Sequence, residues 1–144
     1  MSEILEQIQA DARSALKEGE RERASALRMI ADAVQQDAKL GKGDDVAVLQ
    51  RERKKRLEAA EAFEQGGRDE SARAERGEAE LITAYLPAQL SDEELSALVD
   101  AAIEETGAAE QRQMGEVMSA LMPKVAGRAD GKRVSEAVRQ RLGS

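Results

Sequence analysis

Apolar residues recur at spacings of three and four along nearly the whole chain, and this periodicity is the feature that most limits the fold. No stretch alternates apolar and polar residues over the length of a strand, and Ala, Glu, Arg, Leu and Lys, which are strong helix formers, dominate the 144 residues. The sequence therefore predicts an all-α fold without a β-sheet. The first apolar stripe consists of Ile4, Leu5, Ile8, Ala12, Ala15 and Leu16.

Glycines and capping residues divide the periodic stretches into seven predicted helices. One of these breaks, Gly41-Lys42-Gly43, follows a helix and lacks the spacing of a phosphate-binding loop, so we interpret it as a helix C-cap. Asp44 or Asp45 is expected to cap the next helix. The predicted helices cover about residues 2–17, 20–40, 44–66, 69–86, 91–107, 111–125 and 132–142.

The segment from Tyr85 to Ser91 is the one clear joint in the pattern. Pro87 lacks an N–H and restricts the residue before it, so a helix should stop there. Ser91 with Glu94 forms a capping box that starts the next helix. We therefore predict an N-terminal bundle of about four helices over residues 1–86 and a small C-terminal three-helix bundle over residues 91–144, joined by residues 87–90.

The residue inventory argues against an active site in this chain. It contains no His, which is the commonest general base and metal ligand, and no Cys, which excludes disulfides and thiol chemistry. Paired carboxylates are interpreted as solvated helix faces. We expect no catalytic residue, no metal site and no cofactor. No apolar run approaches the roughly 20 residues of a membrane span, and no signal-peptide core is present, so we expect a cytoplasmic location.

Charge is distributed unevenly, although the formal net charge is −7. Residues 91–123 contain one base, Arg112, against eight acids, whereas residues 124–144 contain six bases against Asp130 and Glu136. Local sign rather than net charge decides where an anion docks, so the basic tail is the expected anion-binding region.

The loop before the last helix is the primary candidate site. Asp130 looks like an N-cap, which places Lys132 and Arg133 in a first turn where the helix dipole is already positive. A phosphate would relieve this repulsion, since helix N-termini with nearby bases bind phosphate. The alternative is that these are ordinary surface bases shielded by Asp130. The predicted RNA-binding residues are Lys124, Gly127, Arg128, Asp130, Gly131, Lys132 and Arg133.

A second basic patch lies in the third predicted helix, where five bases occupy six positions. One of them, Arg53, projects onto the apolar stripe between Val46 and Leu57. One interpretation is a solvated face with an internal salt bridge, supported by acids at helical spacing. The other is a surface that faces an anionic partner. The patch consists of Arg51, Arg53, Lys54, Lys55 and Arg56.

Two further patterns bear on the partner. Phe63 and Tyr85 are the only aromatic residues, so an RNA partner would be recognised by its shape and backbone rather than by base stacking. A methionine stripe at Met114, Met118 and Met122 is interpreted as core, with a protein-binding surface as the alternative.

Six short segments, in this order and at this spacing, form a specific combination. The most distinctive are the joint at 85–91 and two elements downstream of it. The segments are Leu27-Arg28-Met29-Ile30, the basic helix ending Lys54-Lys55-Arg56, Phe63 with Gly67-Arg68, Glu80 before Tyr85-Leu86-Pro87-Ala88-Gln89-Leu90-Ser91, Met114-Gly115-Glu116-Val117-Met118, and Gly127-Arg128-Ala129-Asp130-Gly131.

These segments resemble corresponding segments of the GatB/YqeY family, and the resemblance extends over essentially the whole length of the chain. The resemblance implies an N-terminal helical bundle and a C-terminal bundle similar to the tail of the B subunit of the glutamyl/aspartyl-tRNA amidotransferase. In that enzyme the core of the B subunit activates misacylated tRNA with ATP, a separate subunit releases ammonia from glutamine, and the tail helps to hold the tRNA body. The chain resembles the tail and not the ATP-using core, so the catalytic role does not transfer.

Three hypotheses for function follow. The leading one is an accessory module that binds tRNA or a tRNA-modifying or tRNA-charging enzyme and has no active site of its own. The second is participation in carbon–nitrogen ligase activity with glutamine as amido-N-donor, and the third is a protein-interaction scaffold. The sequence leaves open which tRNA or protein is bound and the oligomeric state.

Overall fold

The computed structural model describes residues 2–41 and 44–143, and within these ranges the protein is all-α, which confirms the predicted fold class. The described part of the chain contains no β-strand beyond a single bridge between Glu110 and Gly143. A short 3-10 turn, Gln111–Gln113, precedes α6. The α-helices are α1 (Glu3–Lys17), α2 (Arg21–Lys39), α3 (Asp45–Gln65), α4 (Asp69–Thr83), α5 (Asp92–Thr106), α6 (Met114–Val125) and α7 (Gly131–Arg141).

The chain divides into two compact units, Met1–Leu86 and Pro87–Ser144. In the N-terminal unit α1 pairs with α2 and α3 pairs with α4. Farther along α3 and α4, small side chains at Ala60, Ala72 and Ala79 are buried between the paired helices. The main core of this unit contains Leu5, Ile8, Ala12, Leu27, Ile30, Ala31, Val34, Val48, Leu49 and Ile82.

The C-terminal unit is built from α5, α6 and α7 around a core of aliphatic side chains. Removal of these side chains from water is the main favourable contribution to folding. Segments outside the helices also enter this core, because Leu90 precedes α5 and Leu142 follows α7. The fully buried members are Val99, Ala102, Val117, Leu121, Val125, Ala129, Val134 and Val138.

Local sequence signals place most helix ends. The capping box of Ser91 and Glu94 is formed, Asp44 accepts a hydrogen bond from the Ala47 amide, and Gly107 ends α5 in the left-handed conformation. Gly41 has the positive φ, +78°, expected after α2, whereas Lys42 and Gly43 lie outside the described residues.

Two predicted helix bounds are wrong. α4 ends at Thr83 rather than at Leu86, because the amides of Tyr85 and Leu86 bond to carbonyls three residues back. This tighter turn fits the restriction that Pro87 places on the preceding residue. The α-helical part of α6 begins at Met114 rather than at residue 111, since the 3-10 turn occupies the positions before it.

None of the helices in the described ranges is both long enough and apolar enough to cross a bilayer.

Candidate nucleic-acid interface

The loop between α6 and α7 is tightly organised by its own residues. Ala126 and Gly127 both adopt positive φ, at 49° and 81°, and turn the chain away from α6. Ala129 is fully buried in the core of the unit. The Asp130 carboxylate accepts a hydrogen bond of 2.8 Å from the Arg133 amide, so Asp130 is the N-cap of α7. These residues therefore set the geometry of the loop.

Arg128 turns its guanidinium back onto the end of α6. Its Nε donates to the Val125 carbonyl at 3.1 Å and its Nη2 donates to the Lys124 carbonyl at 2.7 Å. A cation at these carbonyls is favourable because the C-terminal end of a helix is its negative end. Arg128 thus acts as a helix cap, a role that the sequence interpretation did not include.

Two of the segments that carry the family resemblance lie against each other. The Leu90 amide donates a hydrogen bond of 2.7 Å to the Arg128 carbonyl. The Gln89 side-chain amide donates to the Gly127 carbonyl at 3.4 Å and to the Pro87 carbonyl at 2.8 Å. The segment after Pro87 is therefore attached to the α6–α7 loop, within the C-terminal unit.

Acids of α5 pair with bases of α6 and α7. Lys124 lies 2.8 Å from the Glu105 carboxylate, and Arg133 lies 2.8 Å from that of Asp92. A third pair of this kind, Arg141 with Asp100 at 2.5 Å, involves a base that the sequence analysis did not select. Acidic and basic segments that are separate in the sequence therefore partly neutralise each other's charge between neighbouring helices.

The pKa of the Glu94 carboxyl is lowered, first by the backbone hydrogen bond from Ser91, then by the hydroxyl of the same residue and by the charge of Arg128. The anionic form of Glu94 is thus favoured at the start of α5. Glu94 is therefore a further acid near the start of α5 that interacts electrostatically with Arg128 of the basic loop.

Lys132 and Arg139 are exposed on α7, seven residues and about 10 Å apart along the helix axis. In the ranges that the structure describes, neither side chain has an ion pair or a hydrogen bond. Glu136 lies between them on the same helix. Arg139 is not among the residues predicted from sequence to bind RNA. Its spacing of two helical turns from Lys132 nevertheless indicates that both side chains lie on the same face of α7.

The second basic patch divides into inward and outward side chains. Arg56 is buried, and its Nη1 donates to a carboxylate oxygen and to the carbonyl of Glu52, both at 3.0 Å. Its Nε lies 3.6 Å from the Glu78 carboxylate. Arg53 is half-buried and donates from Nε to the Thr83 hydroxyl at 2.9 Å. These two arginines are therefore engaged inside the α3–α4 hairpin.

The other three bases of the patch are exposed and weakly paired. Arg51 lies 3.4 Å from the buried Asp37 carboxylate. Lys54 and Lys55, whose side chains are 73% and 76% exposed, lie 4.0 Å and 3.9 Å from carboxylates on the same helix. The exposed pairs of Lys54 and Lys55 at such distances contribute little to stability.

Within the described residues, no group of three or more acidic side chains is arranged to hold a metal ion. The side chains that surround the α6–α7 loop are cations, carboxylates and amides without a histidine or cysteine among them. These groups can form ion pairs and hydrogen bonds.

Comparison with known protein families identifies one relationship. The model of the family described as Yqey-like protein matches residues 5–142, which is nearly the whole chain. No match was found among curated proteins. Since the match extends through both helical units and includes the segments on which the resemblance rests, the chain belongs to the YqeY-like protein family.

Proposed function

We propose that this protein is a GatB/YqeY-like accessory module that binds tRNA, or an enzyme that acts on tRNA, and that it has no active site of its own. The observation that carries the proposal is the exposed face of α7, where Lys132 and Arg139 have no partner in the described part of the chain. Together with the bases at the α6–α7 loop, they offer positive charge to a phosphate backbone. A tRNA partner would place the protein in the cytoplasm.

The aromatic residues support recognition of backbone rather than bases. Phe63 is covered by the Arg68 guanidinium at 5.3 Å from the ring centroid, and the Tyr85 hydroxyl donates to the Asp11 carboxylate at 2.5 Å. Both aromatic side chains are thus engaged by other residues of the N-terminal unit. Binding of a folded RNA through its phosphates and shape needs no stacking platform.

Participation in carbon–nitrogen ligase activity would require other subunits to supply ammonia and ATP chemistry. The corresponding test is incubation of the purified chain with Glu-tRNA, ATP and glutamine. We expect no Gln-tRNA to form, and its glutamine-dependent formation without added subunits would favour this second function.

The scaffold hypothesis is supported by different residues from those first selected. Met114 and Met118 pack against the core of the C-terminal unit, and Met122 is 37% exposed. Larger apolar exposure occurs on α2 at Met29 (58%) and just after it at Leu40 (66%). Single exposed apolar side chains are common on protein surfaces, so Met29 and Leu40 mark only where a protein partner would be tested first.

The proposed function is tested by fluorescence anisotropy with a labelled tRNA transcript over a range of salt concentrations. We expect measurable binding at low salt and a linear decrease of log affinity with log salt. Replacement of Lys132 and Arg139 by Ala should weaken binding about three- to tenfold, as expected for loss of a few phosphate contacts.

The matched control is Lys54→Ala with Lys55→Ala, which removes the same charge from exposed positions of α3. If the control weakens binding and the α7 variant does not, the site lies in the N-terminal unit. Absence of affinity for the unaltered protein at low salt would exclude RNA binding and favour the scaffold hypothesis.

A further inference from the structure

Three bases of the C-terminal unit that are accessible to a large anion already hold carboxylates from one helix. The Lys124, Arg133 and Arg141 side chains remain 45%, 32% and 43% exposed while they pair with acids of α5. The three pairs join residues far apart in sequence, so they depend on the packing of α5 beside α6 and α7.

The positions of two of these charges along their helices favour pairing. Arg133 lies in the first turn of α7, the positive end, and Glu105 lies in the last turn of α5, the negative end. Each charge is unfavourable at its own helix terminus, and each is neutralised by an oppositely charged side chain. The partner of Arg133, Asp92, is itself 95% exposed.

A carboxylate that receives charge-assisted hydrogen bonds from Arg or Lys uses the same donors that a phosphate would use. Pairs this exposed are individually weak and are screened by salt, so a polyanion that neutralises several bases together can replace them. Replacement is easiest at Asp92, because its carboxylate has water on nearly all sides.

We propose that Asp92, Asp100 and Glu105 of α5 act as internal competitors of RNA phosphate, holding Arg133, Arg141 and Lys124 in the unbound protein and being displaced on binding. The inference rests on the proposed function, since it concerns regulation of the same RNA-binding surface. It explains how an acidic protein presents a basic surface to a partner with many phosphates: a single anion replaces only one carboxylate and gains little, whereas a polyanion gains from several bases at once.

The test compares two triple variants of the full chain that have the same net charge. In the first, Asp92→Asn, Asp100→Asn and Glu105→Gln remove the three paired acids. In the second, Glu93→Gln, Glu104→Gln and Glu116→Gln remove three exposed acids that have no ion pair in the described structure. Affinity for a labelled tRNA transcript is measured at several salt concentrations, and the fold of each variant is checked by circular dichroism.

We expect the paired-acid variant to bind about three- to tenfold more tightly than the matched variant. We also expect little difference between them in affinity for inorganic phosphate. The single change Asp92→Asn should also increase the affinity for tRNA, by a smaller factor. This single variant tests the competitor role if the triple variant does not fold.

Equal affinity of the two variants, with clear binding by the unaltered protein, would overturn the competitor role and leave RNA binding intact. Binding by the paired-acid variant alone would support the competitor role most strongly. Absence of binding by every form at low salt would overturn both this inference and the proposed function.

Discussion

The amide of Leu90 donates a 2.7 Å hydrogen bond to the carbonyl of Arg128, while the guanidinium of the same arginine caps α6. Arg128 therefore connects three parts of the C-terminal unit: the segment before α5, the end of α6 and the loop before α7. Its position gives it a structural role that is distinct from contact with an external anion.

Replacement of Arg128 by Ala should lower the free energy of unfolding by about 1–2 kcal/mol, because two hydrogen bonds to helix-end carbonyls are lost from a half-buried side chain. Urea denaturation followed by circular dichroism measures the difference. Lys132→Ala is the control, and an equal change in both variants would contradict the capping role.

Replacement of Arg56 by Ala should destabilise the N-terminal unit by about 2 kcal/mol, since it leaves the half-buried Glu52 and Glu78 without their shared cation. Burial, and next the nearby Glu75, already raise the pKa of the Glu78 carboxyl. Lys55→Ala on the same helix should change stability by less than about 0.5 kcal/mol. A loss for Arg56→Ala no greater than that of the control would show that Arg56 is not held inside the hairpin.

Tyr85→Phe should lower the free energy of unfolding by about 1 kcal/mol, because the Tyr85 hydroxyl donates to Asp11 and thereby links the turn after α4 to α1. Burial and this hydrogen bond raise the pKa of Tyr85, so the folded protein holds the phenolic proton more tightly than the unfolded chain. The corresponding stability is present below pH about 10 and is lost as the pH rises above it.

Denaturant midpoints measured between pH 7 and 11 test this expectation. The unaltered protein should lose more stability at the alkaline end than Tyr85→Phe does. Limited proteolysis of the variant should also cut faster at residues 84–89, where loop tips open first. Parallel pH profiles for the two proteins would contradict a role for the Tyr85 hydroxyl.

Ala126→Gly should stabilise the protein by about 0.5 kcal/mol, since Ala126 has φ of 49° and glycine adopts this region without steric cost. Ala120→Gly, inside α6, is the opposite control and should destabilise by about 1 kcal/mol. Thermal denaturation distinguishes the two signs. Destabilisation by Ala126→Gly would show that the left-handed geometry of this loop imposes no strain.

Local residue chemistry explains which features could be predicted from sequence. The capping roles of Ser91 and Asp130 and the breaks at glycines depend on residues a few positions apart, and these predictions agree with the structure. The pairing of Arg133 with Asp92 joins residues 41 positions apart and depends on how α5 packs beside α7. The burial of Arg56 likewise depends on the approach of α4, which periodicity along α3 does not specify.

The most direct test of RNA binding by α7 is acetylation footprinting of lysine side chains in the full protein, with and without a tRNA transcript at low salt, with the modified peptides identified by mass spectrometry. We predict that the tRNA protects Lys132 from acetylation and that this protection decreases as salt increases. Protection confined to Lys54 and Lys55 of α3, or no protection of any lysine at any salt concentration, would contradict binding at α7.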